Sequence, residues 1–200
     1  MSCGIVKNIK VCKGATFLMP IRWGVEPVVF KPIVSIENAA NPRVGVPSHG
    51  LISGWPVAIS NVRGMKEINA PGSEPLPEHY IQCEVVDADN IILTDLNTTD
   101  YTPYLSGGFV RYWSIPDVST ITATFTAINK KTGNEVLSFS SDVASVGGGV
   151  DKDVFGSLFT LRLEAATTGS ITDRQLEYSI RYTNALGRVY GVCKGVMTLT

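Results

Sequence analysis

The chain has few of the residues that usually carry chemistry. It has two histidines in 200 residues, His49 and His79, and neither belongs to a patterned group of cysteines or acids. Its four cysteines, Cys3, Cys12, Cys83 and Cys193, show no C-x-x-C spacing. Zinc sites need paired ligands at short spacing, and disulfide scaffolds belong to secreted chains. The expectation is reduced, mostly buried thiols acting as small hydrophobes, with a late Cys3–Cys12 bridge as the alternative. Runs of like charge are missing too: 17 Lys and Arg balance 18 Asp and Glu, for a net charge of -1. That balance argues against a nucleic-acid footprint and against an acidic-surface partner. No apolar run approaches the roughly 18 residues of a membrane span. The stretch MSCGIVKNIKVCKGATF intersperses lysines with single apolar residues, unlike the apolar core of a signal peptide. Together these features predict a chain made and kept in a cytosol, with no membrane and no nucleic-acid partner.

Catalytic signatures are equally scarce. No G-x-S-x-G elbow is present to present a serine to His49 or His79. Lys131-Thr132-Gly133 matches one tripeptide of the β-lactamase set but lacks its companions, and reads as a hairpin turn. Gly147-Gly148-Gly149 is followed by neither G-K-[ST] nor a helix signal, so no phosphate loop is indicated. Asp87 with Asp89, and Asp151 with Asp153, fall short of the oxygen ligands of a calcium loop and read as polar turns. No carboxylate pair is flanked by the aromatic cluster of a sugar-cleaving cleft. No catalytic, cofactor-binding or metal-ligating residue is therefore assigned, and the chain is expected not to be an enzyme.

What the chain does have is alternation. At 44% hydrophobic and 18% charged residues it is a globular sequence, long enough for one large domain or two small ones. Residues 4–23 read as two strands, Ile5 to Val11 and Thr16 to Trp23, around a Lys13-Gly14 turn. Phe17, Met19 and Ile21 share one face of the second. Residues 24–33 carry Pro27 and Pro32, which cannot donate to a ladder, so this stretch reads as a connector. From 34 to 113, short apolar–polar alternations are broken by Gly, Asn, Asp or Pro: Val85, Ile91 and Leu93 stand against Asp87, Asn90 and Thr94. This is the pattern of a small all-β module of about 80 residues with a modest core. Its longest loop is 68–80, where prolines and a glycine exclude regular structure; loops of that length are usually functional or mobile.

After a 114–116 connector, Ile121, Ala123, Phe125 and Ala127 alternate with threonines. A turn over Lys131–Asn134 leads to a return strand holding Val136, Leu137 and Phe139. Residues 146–156 read as a second turn region. The next strand, 157–168, puts Phe159, Leu161, Leu163 and Ala165 on one face, and Thr172 or Asp173 is placed to cap one helical turn. Two closing strands flank Ala185-Leu186-Gly187.

Two sets of residues carry a resemblance. The first is His49, Gly50, Leu51, Val57, Ile59, Gly64, Met65, Ile68 and Asn69, followed by Tyr101, Tyr104, Ser106, Gly107 and Gly108. This set resembles a module of tailed-bacteriophage virion proteins that is named after the catalytic-cysteine half-domain (FCCH-like) of ubiquitin-activating enzymes. The name concerns shape; no adenylation motif accompanies it, and fold does not carry function across such a gap. The second set is Gly14, Thr16 and Phe17; Asp117, Val118, Ser119, Thr120, Thr122 and Ala123; Leu161 and Leu163; then Tyr178, Tyr182, Gly187, Val189, Tyr190, Gly195, Val196 and Leu199. It looks like the immunoglobulin-like sandwich of phage baseplate and tail proteins, with Ser119-Thr120 standing where that pattern has Thr-Gly.

The resemblances imply an all-β chain: an immunoglobulin-like β-sandwich, residues 1–23 and 117–200, interrupted by a small β-barrel-like module, 34–113. They further imply a structural tail or adaptor protein of a phage virion, assembled in the host cytoplasm. Its partners would be other phage structural proteins (tail tube, hub, fibre or spike) and copies of itself. The interface candidates are Trp23, Trp55, Trp113, Tyr101 and Tyr104, since aromatic residues are enriched at interface hot spots. Trp23 and Trp113 fall at the two mouths of the insertion, where junction packing is the plainer role. The alternative function is a receptor-binding module that recognises host-surface glycan through the 68–80 loop and Trp55; a hydrolase ranks third.

Overall fold

The structure is a computed structural model, and it describes residues 5–154 and 156–200; Cys3, and with it the Cys3–Cys12 alternative, lies outside the described residues. The chain divides into two compact units, Met1–Trp23 with Pro116–Thr200, and Gly24–Ile115. In chain order the first unit contributes β1 (Ile5–Val6), β2 (Ile9–Val11) and β3 (Phe17–Ile21). The second contributes β4 (Val25–Pro32), β5 (Ser35–Ile36), β6 (Arg43–Gly45), β7 (Trp55–Ser60), β8 (Ile81–Asp87), β9 (Asn90–Leu93) and β10 (Phe109–Ser114). The chain then returns to the first unit with β11 (Thr122–Ile128), β12 (Glu135–Ser140), β13 (Gly148–Asp153) and β14 (Leu158–Leu163). A one-turn helix, α1 (Ala165–Ser170), precedes β15 (Gln175–Thr183) and β16 (Val189–Leu199).

The fold is all-β, and the first unit is a sandwich. One sheet runs β1-β16-β15-β11-β12, with β2 also on β16; the other runs β13-β14-β3. The strict alternation of β11 turns Ala123, Phe125 and Ala127 inward and leaves its threonines half-exposed. Facing them, Phe159, Leu161 and Leu163 of β14 are fully buried. Leu176, Ile180 and Met197 complete this core. Each such side chain contributes on the order of 1.5–3 kcal/mol by leaving water.

Several elements of the first unit differ from the reading of the sequence. Lys13-Gly14 does not close a hairpin: β2 pairs with β16 in one sheet and β3 with β14 in the other, so the turn passes between sheets. Residues 148–153, within the expected turn region, are strand β13, paired with β14 from Gly148↔Leu163 to Asp153↔Leu158. Glycine suits that strand because a Cβ on Gly148 would stand 2.6 Å from Arg162 O and 2.9 Å from the Phe139 ring. The helical turn precedes Thr172 and Asp173 instead of following them, with Glu164 at its N-cap. Thr168 anchors it by donating its hydroxyl to Ala15 O or Ala165 O.

The second unit is one seven-stranded sheet in the order β4-β10-β7-β8-β9-β6-β5. Its two ends are consecutive in the chain. Ile33 N–H donates to Gly108 O (3.0 Å) and Val34 N–H to Gly45 O (2.9 Å), so one extended stretch touches both ends and rolls the sheet into a half-barrel. Val44, Trp55, Val57, Ile59, Met65, Ile91, Leu93 and Val110 fill it. The expected connector 24–33 is therefore mostly strand. β4 pairs with β10 from Pro32↔Phe109 to Val28↔Trp113 before the register breaks. Proline is tolerated because β4 is an edge: backbone groups alternate sides, so with Ile33 facing β10 the Pro32 nitrogen faces away from it, where no ladder bond is lost.

Candidate interaction surface

The residues of the first resemblance hold the second unit together. His49 is 2% exposed. Its Nδ1 accepts the Leu51 N–H (2.9 Å), which makes Nε2 the protonated nitrogen, donating to Asp87 O (2.9 Å). Its own carbonyl accepts the Tyr112 hydroxyl. Asn69 clamps a strand end by accepting Val62 N–H (2.8 Å) and donating to Val62 O (3.1 Å). Gly64 holds φ +89°, and a Cβ there would lie 2.3 Å from Pro103 O. Met65 and Ile68 are core. These are packing and turn positions, so His49 is a structural histidine in this geometry.

The interface candidates separate. Trp55 is 1% exposed, and its Nε1–H donates to Trp113 O (3.0 Å). It has no face left to stack on a sugar, so the glycan reading loses its aromatic platform. Tyr101 packs against the core, and the Tyr104 hydroxyl lies 3.1 Å from both Ile33 O and Gly107 O, where it ties the 101–108 segment to the strand junction. Trp23 belongs to the first unit, stacked between Phe159 (centroids 5.3 Å) and Tyr182 (5.0 Å), with Tyr190 next in line 4.9 Å from Tyr182. Of the five, Trp113 is the one classed as exposed.

Trp113 has neighbours that the sequence did not disclose. Alternation along β10 buries Val110 and Tyr112 and turns Phe109, Arg111 and Trp113 to the opposite face. Register places Pro32, Phe30 and Val28 of β4 directly beside them. The result is a strip on the outer face in which Phe30 is 54% exposed, Phe109 40% and Trp113 38%. The Arg111 guanidinium stands over the Phe30 ring, 5.6 Å from its centroid, and its Nη1 donates to Ser73 O (2.7 Å). Arg111 Nε is buried and meets no acceptor among the described residues. The Arg111–Ser73 bond, together with Ala70 N–H donating to Ile59 O (2.7 Å), pins the 68–80 loop near the strip. Sequence reasoning missed Phe30, Phe109 and Arg111 because only the β4–β10 pairing brings them together. The available signal was the alternation F-V-R-Y-W at 109–113. No protein-family model matches the chain, and no curated protein is significantly similar to it.

The acidic pairs behave as turn residues. Asp87 accepts Asp89 N–H and the Asn90 amide, and these bonds hold its carboxyl below the usual aspartate range. Asp89 accepts Ser48 N–H (2.7 Å), Asp151 pairs with Arg162 (2.9 Å), and Asp153 accepts Gly156 N–H (3.0 Å). Among the described residues, no group of three or more His, Cys, Asp or Glu is placed to hold a metal ion. Cys83 and Cys193 are buried thiols as expected, whereas Cys12 is exposed, because it sits in the turn that leaves β2 for the other sheet. The Cys193 sulfur lies 3.4 Å from the Tyr178 hydroxyl, and burial pushes that phenol well above its usual pKa.

Proposed function

We propose that this chain is a structural component of a tailed-phage virion: a tail or adaptor protein that docks on the tail and links it to neighbouring subunits, fibres or spikes. Its role is geometric, with two modules on one chain offering separate surfaces. The observation that carries this reading is that the residues resembling the phage virion module occupy core, clamp and turn positions of one compact unit. His49, Gly64, Met65, Asn69 and Tyr104 each have a defined structural task there. The outward aromatic strip of β4 and β10 adds a surface of the kind that marks protein contacts. Partners in this account are other virion proteins and copies of the chain itself, and the place of action is the assembled particle.

The test is quantitative mass spectrometry of purified particles from the phage that encodes the chain, with immunogold labelling. Stoichiometric presence with label on the tail or collar is expected. Absence from the particle overturns the proposal, and label confined to the distal tip replaces it with the receptor-binding role.

A further inference from the structure

We propose that the free edge of β4 accepts an extended strand from an acidic partner polypeptide, with a glutamate of that strand set beside Phe30 to meet Arg111. The inference rests on the docking role proposed above and specifies how the docking is made. Three observations on the second unit support it.

The first is the edge. β4 ends its sheet and pairs with β10 alone. Ile33 N–H faces Gly108, so by alternation the N–H and C=O of Val28 and Phe30 face the open side. Unpaired edge groups are a template for another strand, and natural chains usually cover or blunt them.

The second is the face. Side chains of an added strand on the outer side fall next to Val28, Phe30 and Pro32, which are backed by Trp113, Arg111 and Phe109. This is an apolar bed with a cation in its centre.

The third is charge. Arg111 makes no ion pair among the described residues; Lys31 of the same edge strand also makes none, but it pairs with the inward Val110 and lies on the face opposite Phe30. The acid of β4, Glu26, lies beyond the register break, away from Phe30. A guanidinium lying over the edge-side ring of Phe30 reaches toward the open side, where a glutamate carboxylate is its complement. A second copy of the chain would bring another Arg111 to the same edge, with its Glu26 held beyond the register break. Complementarity therefore selects an acidic partner strand over self-pairing.

The test is a fluorescence-anisotropy titration of the full chain with a short synthetic peptide. In it, valine, glutamate and valine occupy alternate positions between threonines. Saturable binding is expected, weakened at least about tenfold when lysine replaces the glutamate. Arg111→Glu should reverse that preference. Methylating alternate peptide nitrogens should abolish binding, as should Phe30→Asp, while Leu186→Asp, on an exposed turn of the other unit, leaves it unchanged. Four results overturn the proposal: no saturable binding, equal binding of the lysine peptide, equal binding of the methylated peptide, or a dimer that Phe30→Asp dissociates. The last assigns the edge to a second copy. Absence of the chain from particles would remove the virion role without touching this titration. A failed titration with the chain present in the tail would remove the strand mode alone.

Discussion

Replacing His49 with alanine tests whether the residues of the first resemblance are structural. The imidazole satisfies two backbone groups inside the second unit: it accepts Leu51 N–H at 2.9 Å and donates to Asp87 O at 2.9 Å. Alanine leaves both without a partner at a site where the histidine was 2% exposed. The orphaned Leu51 N–H is buried and costs about 1–3 kcal/mol before any cavity is counted, while the part-buried Asp87 carbonyl adds less because water reaches it. Against a total stability of about 5–15 kcal/mol, that is a large fraction. His49→Asn separates the two bonds, because its amide oxygen takes the place of Nδ1 and restores the Leu51 acceptor alone. Urea unfolding gives the free energies. Native-state hydrogen exchange should show Leu51 N–H losing protection in the alanine variant and keeping much of it in the asparagine variant. A loss below about 0.5 kcal/mol for His49→Ala, with Leu51 still protected, would refute the structural assignment.

Other perturbations probe separate parts of the account. Trp55→Phe removes the donor to Trp113 O and should cost about 1–3 kcal/mol in urea unfolding while Trp113 stays exposed to a fluorescence quencher. Gly64→Ala forces a side chain into φ +89° with its Cβ 2.3 Å from Pro103 O, and should destabilise by at least about 2 kcal/mol, read as a lower denaturant midpoint. In the first unit, the Thr122 hydroxyl holds the Asp142 carboxyl below the usual aspartate range, with Lys152 assisting. The stabilisation from that bond is present above the ordinary aspartate pKa and is lost as pH falls through the depressed one. Carbon-detected NMR titration should place the Asp142 midpoint low, and Thr122→Val should raise it.

Much of the fold was legible where period-two alternation was uninterrupted. Ile121, Ala123, Phe125 and Ala127, and likewise Phe159, Leu161 and Leu163, are buried as the pattern implied, because a half-buried strand exposes its logic residue by residue. The pattern failed where pairing decides structure. Pro27 and Pro32 suggested a connector, yet Pro32 turns its nitrogen to the open side of an edge strand and Pro27 falls in the register break, neither of which sequence spacing reveals. Three consecutive glycines suggested a turn, yet Gly148 pairs with Leu163 in a strand, and it is glycine because Phe139 occupies the space a side chain would need. Candidate surface residues were harder still. Trp55 looked like a ligand platform but fills the half-barrel, and Phe30 and Arg111, which meet only through the β4–β10 register, carried no local signal.

The most direct test of the central claim is a cryo-electron microscopy map of the purified particle at a resolution that traces strands. The account predicts this chain as a ring or regular array on the tail or collar, with a neighbouring protein seated on the outer face of β4 and β10. A particle without the chain would contradict the virion role, and a tail-bound chain whose β4–β10 face is bare would contradict the assignment of that face as its docking surface.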